Sequence, residues 1–318
     1  MKTFDEIYDE LQNSDNQELN NAWKEAEKES KRTRNISLII CTIIDIIAIM
    51  LLGNSGMVNM IPFSILPIAL MVFVIDMLVV VIVNLLFSKN KNKYNLKYKE
   101  IVIKKIMNNF YDNLEYFPQK PMPEYIYKEG SYDEYYDEYI SEDYFEAQLD
   151  NKYSIQMAEI LTQEEETYED SDGNTKTRMI TKFCGLFGKI EMDKSIGSQL
   201  KIMQNGNVMK KNRLNMDSSE FEKYFDVQAS NKIIGMQLLT ADVMEELIEF
   251  RNKTNMEYDI FINNNELYLR FHSGGMFEAG KLKKGAIDKE TARKYFYMLN
   301  FTYNLSKKLI SIIDETQI

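Results

Sequence analysis

Residues Ile36 to Leu52 read ISLIICTIIDIIAIMLL, seventeen residues with a single charge, Asp45, at their centre. A second apolar run, Ile61 to Phe87, carries one charge as well, Asp76 in MVFVIDMLVV. Between Ile36 and Phe87 these two aspartates are the only charged residues. At about 1.5 Å per residue the first run is short but sufficient for a hydrocarbon core of roughly 30 Å. The second is longer, and its Pro62 and Pro67 fit near a helix start, where the first N–H groups have no partner anyway. We therefore expect a transmembrane helical hairpin, 36–52 and 61–87, with the regular part of the second span beginning near Leu66.

The flanks give it a direction. Lys31, Arg32 and Arg34 precede the first run, and Lys89, Lys91, Lys93, Lys97 and Lys99 follow the second. The connecting GNSGMVNM has no charge. Cations on the two outer flanks put both termini on the cytoplasmic side of the cytoplasmic membrane. A signal peptide fits poorly, because a long polar and partly acidic segment comes first and no small-residue cleavage site follows. A buried core hairpin fits poorly too, given the basic flanks.

Asp45 lies nine residues inside the first span, roughly 14 Å deep, and Asp76 eleven residues from the end of the second, roughly 16 Å deep. In an antiparallel hairpin they sit at similar depth. A charged carboxylate in lipid costs at least about 2.5–3.5 kcal/mol, so both are expected to face protein or trapped water. Like charges raise a carboxyl pKa, which favours a shared or retained proton. Thr42, three residues before Asp45, is a candidate hydrogen-bond donor to it. Two roles remain open for Asp45, Asp76 and Thr42. They hold helices together, within the hairpin or between subunits, or they line a proton or cation path.

Outside the spans the 318-residue chain is very polar, and its formal net charge is -11. That excess of acid argues against nucleic acid, whose phosphates need a positive footprint. Two cysteines, Cys41 and Cys184, make neither a disulfide framework nor a metal spacing.

Residues 1–35 are expected to form helices, with Phe4, Ile7, Tyr8 and Leu11 on one face and Leu19, Trp23 and Ala26 on another. Ser14 or Asp15 is the expected cap of the second helix, which runs without a breaker into the first span. A juxtamembrane helix is expected over 88–117, with a stripe of Ile103, Ile106, Phe110 and Leu114, ending at the proline-rich FPQKPMP. The remainder, 118–318, reads as a cytosolic α+β domain of meandering antiparallel strands and separate helices. Its segment 124–150 is acidic and tyrosine-rich and lacks the calcium-loop spacing, so we expect a solvated, partly ordered surface. EDSDGNT, 169–175, reads as a hairpin turn between two alternating strands. Further on, Asp217 or Ser218 caps a helix over SSEFEKYF, KIIGMQ looks like a strand, and an amphipathic helix starts near Thr240. Two strands joined around Asn263–Asn265 follow, then a long helix over 288–314.

Several stretches carry a family resemblance. ISEDYFEAQLDNKYSIQMAEI, FCGLFGKIEM, SSEFEKYFDV, LLTADVMEELIEF, ELYLRF and MFE resemble an uncharacterised bacterial domain-of-unknown-function family, numbered 3137. The resemblance covers roughly 98–278 and implies two membrane helices near the start and a cytosolic domain after them. In the family pattern an Asp and an Arg follow the FEKYF-like helix. Here SNKIIGMQLLTA has Asn231 and Met236 there. The resemblance implies no catalytic residue and no cofactor.

The chain has one histidine, His272 in RFHSGG, and Ser273 beside it points to the opposite face of a strand. No phosphate-binding loop, dinucleotide fingerprint or zinc-protease helix occurs. No catalytic, cofactor or metal residue is therefore assigned, and an enzymatic activity stays unassigned. The reading that fits best is a membrane-anchored binding or scaffolding module, a homo-oligomer or bound to a protein partner. The alternative is a small transport or channel subunit using Asp45 and Asp76.

Overall fold

The computed structural model describes residues 1–14, 16–54, 65–86, 88–131, 134–206 and 213–315. Asp15, the hairpin connection around 55–60, the start of the second run at 61–64 and Phe87 lie outside the described residues. The chain divides into two compact units. One holds residues 1–10, 102–278 and 289–318, the other residues 11–101 and 279–288.

The smaller unit is helical. Helix α1, Phe4–Asn13, leads from the larger unit towards it, and α2, Gln17–Asn54, is one unbroken helix of 38 residues. Then come α3, Ile65–Leu86, and α4, Lys89–Tyr98. The partners of α2 run backwards along the chain. Glu18 meets Lys97 at 3.1 Å, Glu25 meets Lys93 at 2.9 Å, Glu29 accepts from the Asn90 N–H at 2.9 Å, and Cys41 lies beside the Asp76 carbonyl. That order makes α2 antiparallel to α3 and α4 between Glu18 and Cys41. Leu19 and Ala26 are buried in its polar half as expected, whereas Trp23 is only half-buried and Ala22 is buried beside it. The loop 279–288 packs here too. The Trp23 indole donates to the Leu282 carbonyl at 2.9 Å, and the Tyr94 hydroxyl donates to the Ala286 carbonyl at 2.9 Å.

The expected helix over 88–117 is shorter. After α4 comes a π-helical turn, Lys99–Ile103, and a last turn, α5, Lys104–Met107. Asn108 and Asn109 follow, poor helix formers that favour turns. Residues 112–117 are strand β1, Asp112–Phe117. The apolar stripe of Ile103, Ile106 and Phe110 is buried as expected, but Leu114 belongs to the strand.

The larger unit contains an eight-stranded antiparallel sheet among the described residues, in the order β1-β2-β3-β4-β8-β7-β5-β6. After β1 come α6, Glu124–Gly130, then β2, Glu138–Leu149, β3, Tyr153–Glu169, and β4, Thr175–Glu191. Next are β5, Gln199–Gln204, α7, Phe221–Tyr224, β6, Phe225–Ala229, α8, Lys232–Leu238, and α9, Ala241–Thr254. Strands β7, Glu257–Asn263, and β8, Glu266–His272, precede α10, Lys289–Glu315. The α+β expectation of antiparallel strands with separate helices holds.

Two expectations fail locally. KIIGMQ is helix α8, because the Asn231 side chain accepts from the Ile233 and Ile234 N–H groups and caps it. Within 124–150 lie α6 and β2, with Tyr127 and Tyr144 in the core rather than in solvent. Tyrosine carries a large apolar ring, and these rings are buried among Phe183, Phe187 and Tyr268.

Helices α9 and α10 cover one face of the sheet. Phe250 and Phe301 stack with centroids 3.5 Å apart, and Phe301 meets Tyr258 and Phe271 edge-on. Helix α6 covers part of the other face. Lys189, nearly buried on β4, pins it by pairing with Glu129 at 2.9 Å and Glu266 at 2.7 Å. Beyond the sheet, β3 and β4 continue as a two-stranded arm, Glu164–Glu169 against Thr175–Ile180. Its turn carries Gly173 at φ 78°.

Truncating Phe301 to Ala is expected to cost about 3–5 kcal/mol. In a domain of this size that lowers the thermal midpoint of the full-length protein by about 6–20 °C. Tyr125→Ala, on the exposed side of α6, is expected to stay within about 0.5 kcal/mol of wild type. Equal effects of the two changes would refute this packing.

The Lys189 contact gives a pH dependence. Burial raises the Glu266 pKa, but the hydrogen bonds from Lys189 and Tyr268 outweigh it, and the net direction is downward. A lowered carboxyl stabilises the fold above its unfolded pKa, about 4.3, and that contribution is lost as pH falls through the folded value. Lys189→Met is thus expected to flatten the loss of stability between about pH 5 and pH 3, read as thermal midpoint against pH.

Candidate functional site

On α2 and α3 the polar residues singled out by sequence have distinct surroundings. Asp76 turns towards α2, and its buried Oδ1 has no hydrogen-bond partner. Cys41, not Asp45, is level with it. Asp45 lies one turn further along α2, about 6 Å, and is exposed. The Thr42 hydroxyl donates to the Leu38 carbonyl at 2.7 Å, the back-bond to i−4 usual for a helical threonine. The flanking cations Arg32, Arg34, Lys89 and Lys91 are exposed, Lys31 pairs with Glu27 and Lys93 with Glu25.

Around these groups the helices carry large exposed apolar side chains. Leu38, Ile39, Ile49, Leu70, Met71 and Phe73 are each 60% or more accessible. Among the described residues one helix is long and apolar enough to cross a membrane, α2, and only 11% of its apolar window is buried.

The larger unit brings together residues the sequence did not flag. Ligand oxygens of Glu142, Asp143 and Glu159 lie within 4.8 Å of one another. The pairing of β2 with β3 shifts between Glu142 and Phe145, and Asp143 sits there at φ 56°. That irregularity turns a carboxylate into the protein instead of along the strand. The Tyr116 hydroxyl donates to Asp143, and the Met276 N–H donates to Glu159 at 2.8 Å. Burial and then the Asp143 charge push the Tyr116 pKa far up, so it stays a donor. Three carboxylates this close are suited to accept a hard cation. Of the described residues these are the ones able to do so. No sequence spacing signals the cluster, since its members come from a bulge and a neighbouring strand.

His272 closes β8, and its Nε2 lies 3.0 Å from Asp259 on β7. Ser273 donates instead to the Gly274 carbonyl. Arg270, buried, pairs with Glu134, reaches the Tyr127 hydroxyl at 3.3 Å and lies over the Phe183 ring at 4.7 Å. Two open grooves of about 560 and 510 Å³ flank α9. The second is lined by Phe250, Tyr297 and Phe301.

Residues 181–310 match a family model described as a protein of unknown function (DUF3137). The resemblance seen in the sequence stands over that stretch, from β4 into α10. No curated protein and no solved structure matches the chain. Asn231, within that stretch, caps α8.

Tyr116→Phe removes the hydroxyl that Asp143 accepts from, and is expected to cost about 1–3 kcal/mol in thermal or urea unfolding. An unchanged midpoint would mean the hydroxyl does not hold Asp143.

Proposed function

We propose, from the premise that residues 181–310 are a DUF3137 segment, that the chain is a membrane-anchored binding and scaffolding module. In this reading α2 and α3 form a two-span hairpin in the cytoplasmic membrane. Both termini and the α+β domain face the cytoplasm, and the domain meets a protein partner. The observation that carries the reading is the set of exposed aliphatic and aromatic side chains on α2 and α3. A soluble protein seldom exposes so continuous an apolar surface, whereas acyl chains solvate it. The cations Lys31, Arg32, Arg34, Lys89, Lys91 and Lys93 at the polar ends favour the cytoplasmic orientation. The grooves beside α9 and the exposed Tyr297 support a binding surface on the domain. Asp45, Asp76 and Thr42 serve as intramembrane polar contacts.

The test uses full-length protein in native membranes. It is expected to stay in the pellet on alkaline carbonate extraction. In a Cys41→Ser, Cys184→Ser background, Ser55→Cys is expected to react with an impermeant maleimide from outside. Ser311→Cys is expected to react only after the membrane is opened. Release into the supernatant, or the reverse labelling, overturns the reading. Proteoliposomes of the pure protein are expected to show no proton or cation flux. Flux abolished by Asp45→Asn would replace scaffolding with transport.

A further inference from the structure

We propose that Asp45 lies in a contact between two copies of this chain, α2 beside α2 in parallel, with each Asp45 next to its counterpart. The inference rests on the membrane-anchored reading. Helix α2 turns Cys41, Ile44 and Ala48 towards α3, where they are half-buried. Leu38, Thr42, Asp45 and Ile49 follow one another at steps of four, three and four, and all are exposed. That spacing is the seam pattern of paired helices, and at 100° per residue it lies about a quarter turn from the α3 face. Asp76 does not cover Asp45, which is exposed. The hairpin thus leaves an ionisable group on an outer stripe, roughly 14 Å from the polar end of the span. Such groups turn to protein rather than to acyl chains.

A second copy is the occupant that symmetry favours. Copies of one membrane protein insert in the same direction, so their α2 helices are parallel and in depth register. A two-fold axis along the membrane normal sets each stripe residue beside itself. A polar group then meets Asp45 at the same depth without any further design. A different protein would need its own polar group at that level. Each Asp45 carboxyl then has the carboxyl of the other copy as a hydrogen-bond partner. The Thr42 hydroxyl already spends its proton on the Leu38 carbonyl, and its oxygen remains free to accept from a protonated Asp45 of the second copy.

Single cysteines in full-length protein lacking Cys41 and Cys184 test the stripe by disulfide formation in native membranes. Leu38→Cys and Ile49→Cys are expected to give a dimer at least tenfold more readily than Ile39→Cys and Ile43→Cys, which are exposed on another side. Adding Asp45→Leu to Ile49→Cys is expected to reduce the dimer several-fold. Asp45→Asn, whose amide pairs with itself, is expected to keep it. Equal cross-linking on both sides, indifference to Asp45→Leu, or a disulfide to another protein overturns the proposal. Carbonate extraction of the same samples separates the two ideas. Protein that stays in the pellet without stripe-specific dimer defeats the contact alone, and protein that is released defeats the anchoring reading beneath it.

Discussion

The larger unit depends on one packing event, the seating of aromatic rings from α9 and α10 on a single face of the sheet. Phe250 and Phe301 stack in the middle of it, over Tyr258 and Phe271. Helix α10 extends the same surface, with Phe296 and Tyr303 against Phe110 and Tyr111. An antiparallel sheet can leave one face wet, but here the second face also carries a core, built by tyrosines from α6 and β2. The charged groups on that second face are tied down rather than free. Lys189 joins two glutamates, and Arg270 lies between Glu134 and the rings.

The smaller unit obeys a different constraint. Its polar half is held by ion pairs and by Trp23 and Tyr94 on the loop 279–288. Its apolar half has little protein around it. A helix pair of that kind exposes what a water-soluble fold would bury.

Much of this was legible in the sequence where periodicity ran long. Helix α10, the β7–β8 hairpin with its asparagine turn, and α9 with its Thr240 cap follow from pattern and turn chemistry. Short elements were not legible. KIIGMQ has strand-like composition, and only the Asn231 cap tips it to a helix. Residues 112–117 continue a helical stripe on paper, yet pairing with β2 captures them as an edge strand. Acid content disguised 124–150, because charge counts say nothing about where tyrosine rings go. For the site, the sequence picked out Asp45 and Asp76 by their rarity, and the register of α2 against α3 then distinguished them. The Glu142, Asp143 and Glu159 cluster depends on a bulge, which no local pattern announces.

Helix α2 has a mechanical consequence. It runs through 38 residues without a break, roughly 57 Å, and no proline or glycine interrupts it before Gly53. Such a rod has no hinge to absorb torsion. A rotation imposed near Asp45 is therefore carried by one continuous helix to Trp23, whose indole holds the Leu282 carbonyl in the loop 279–288.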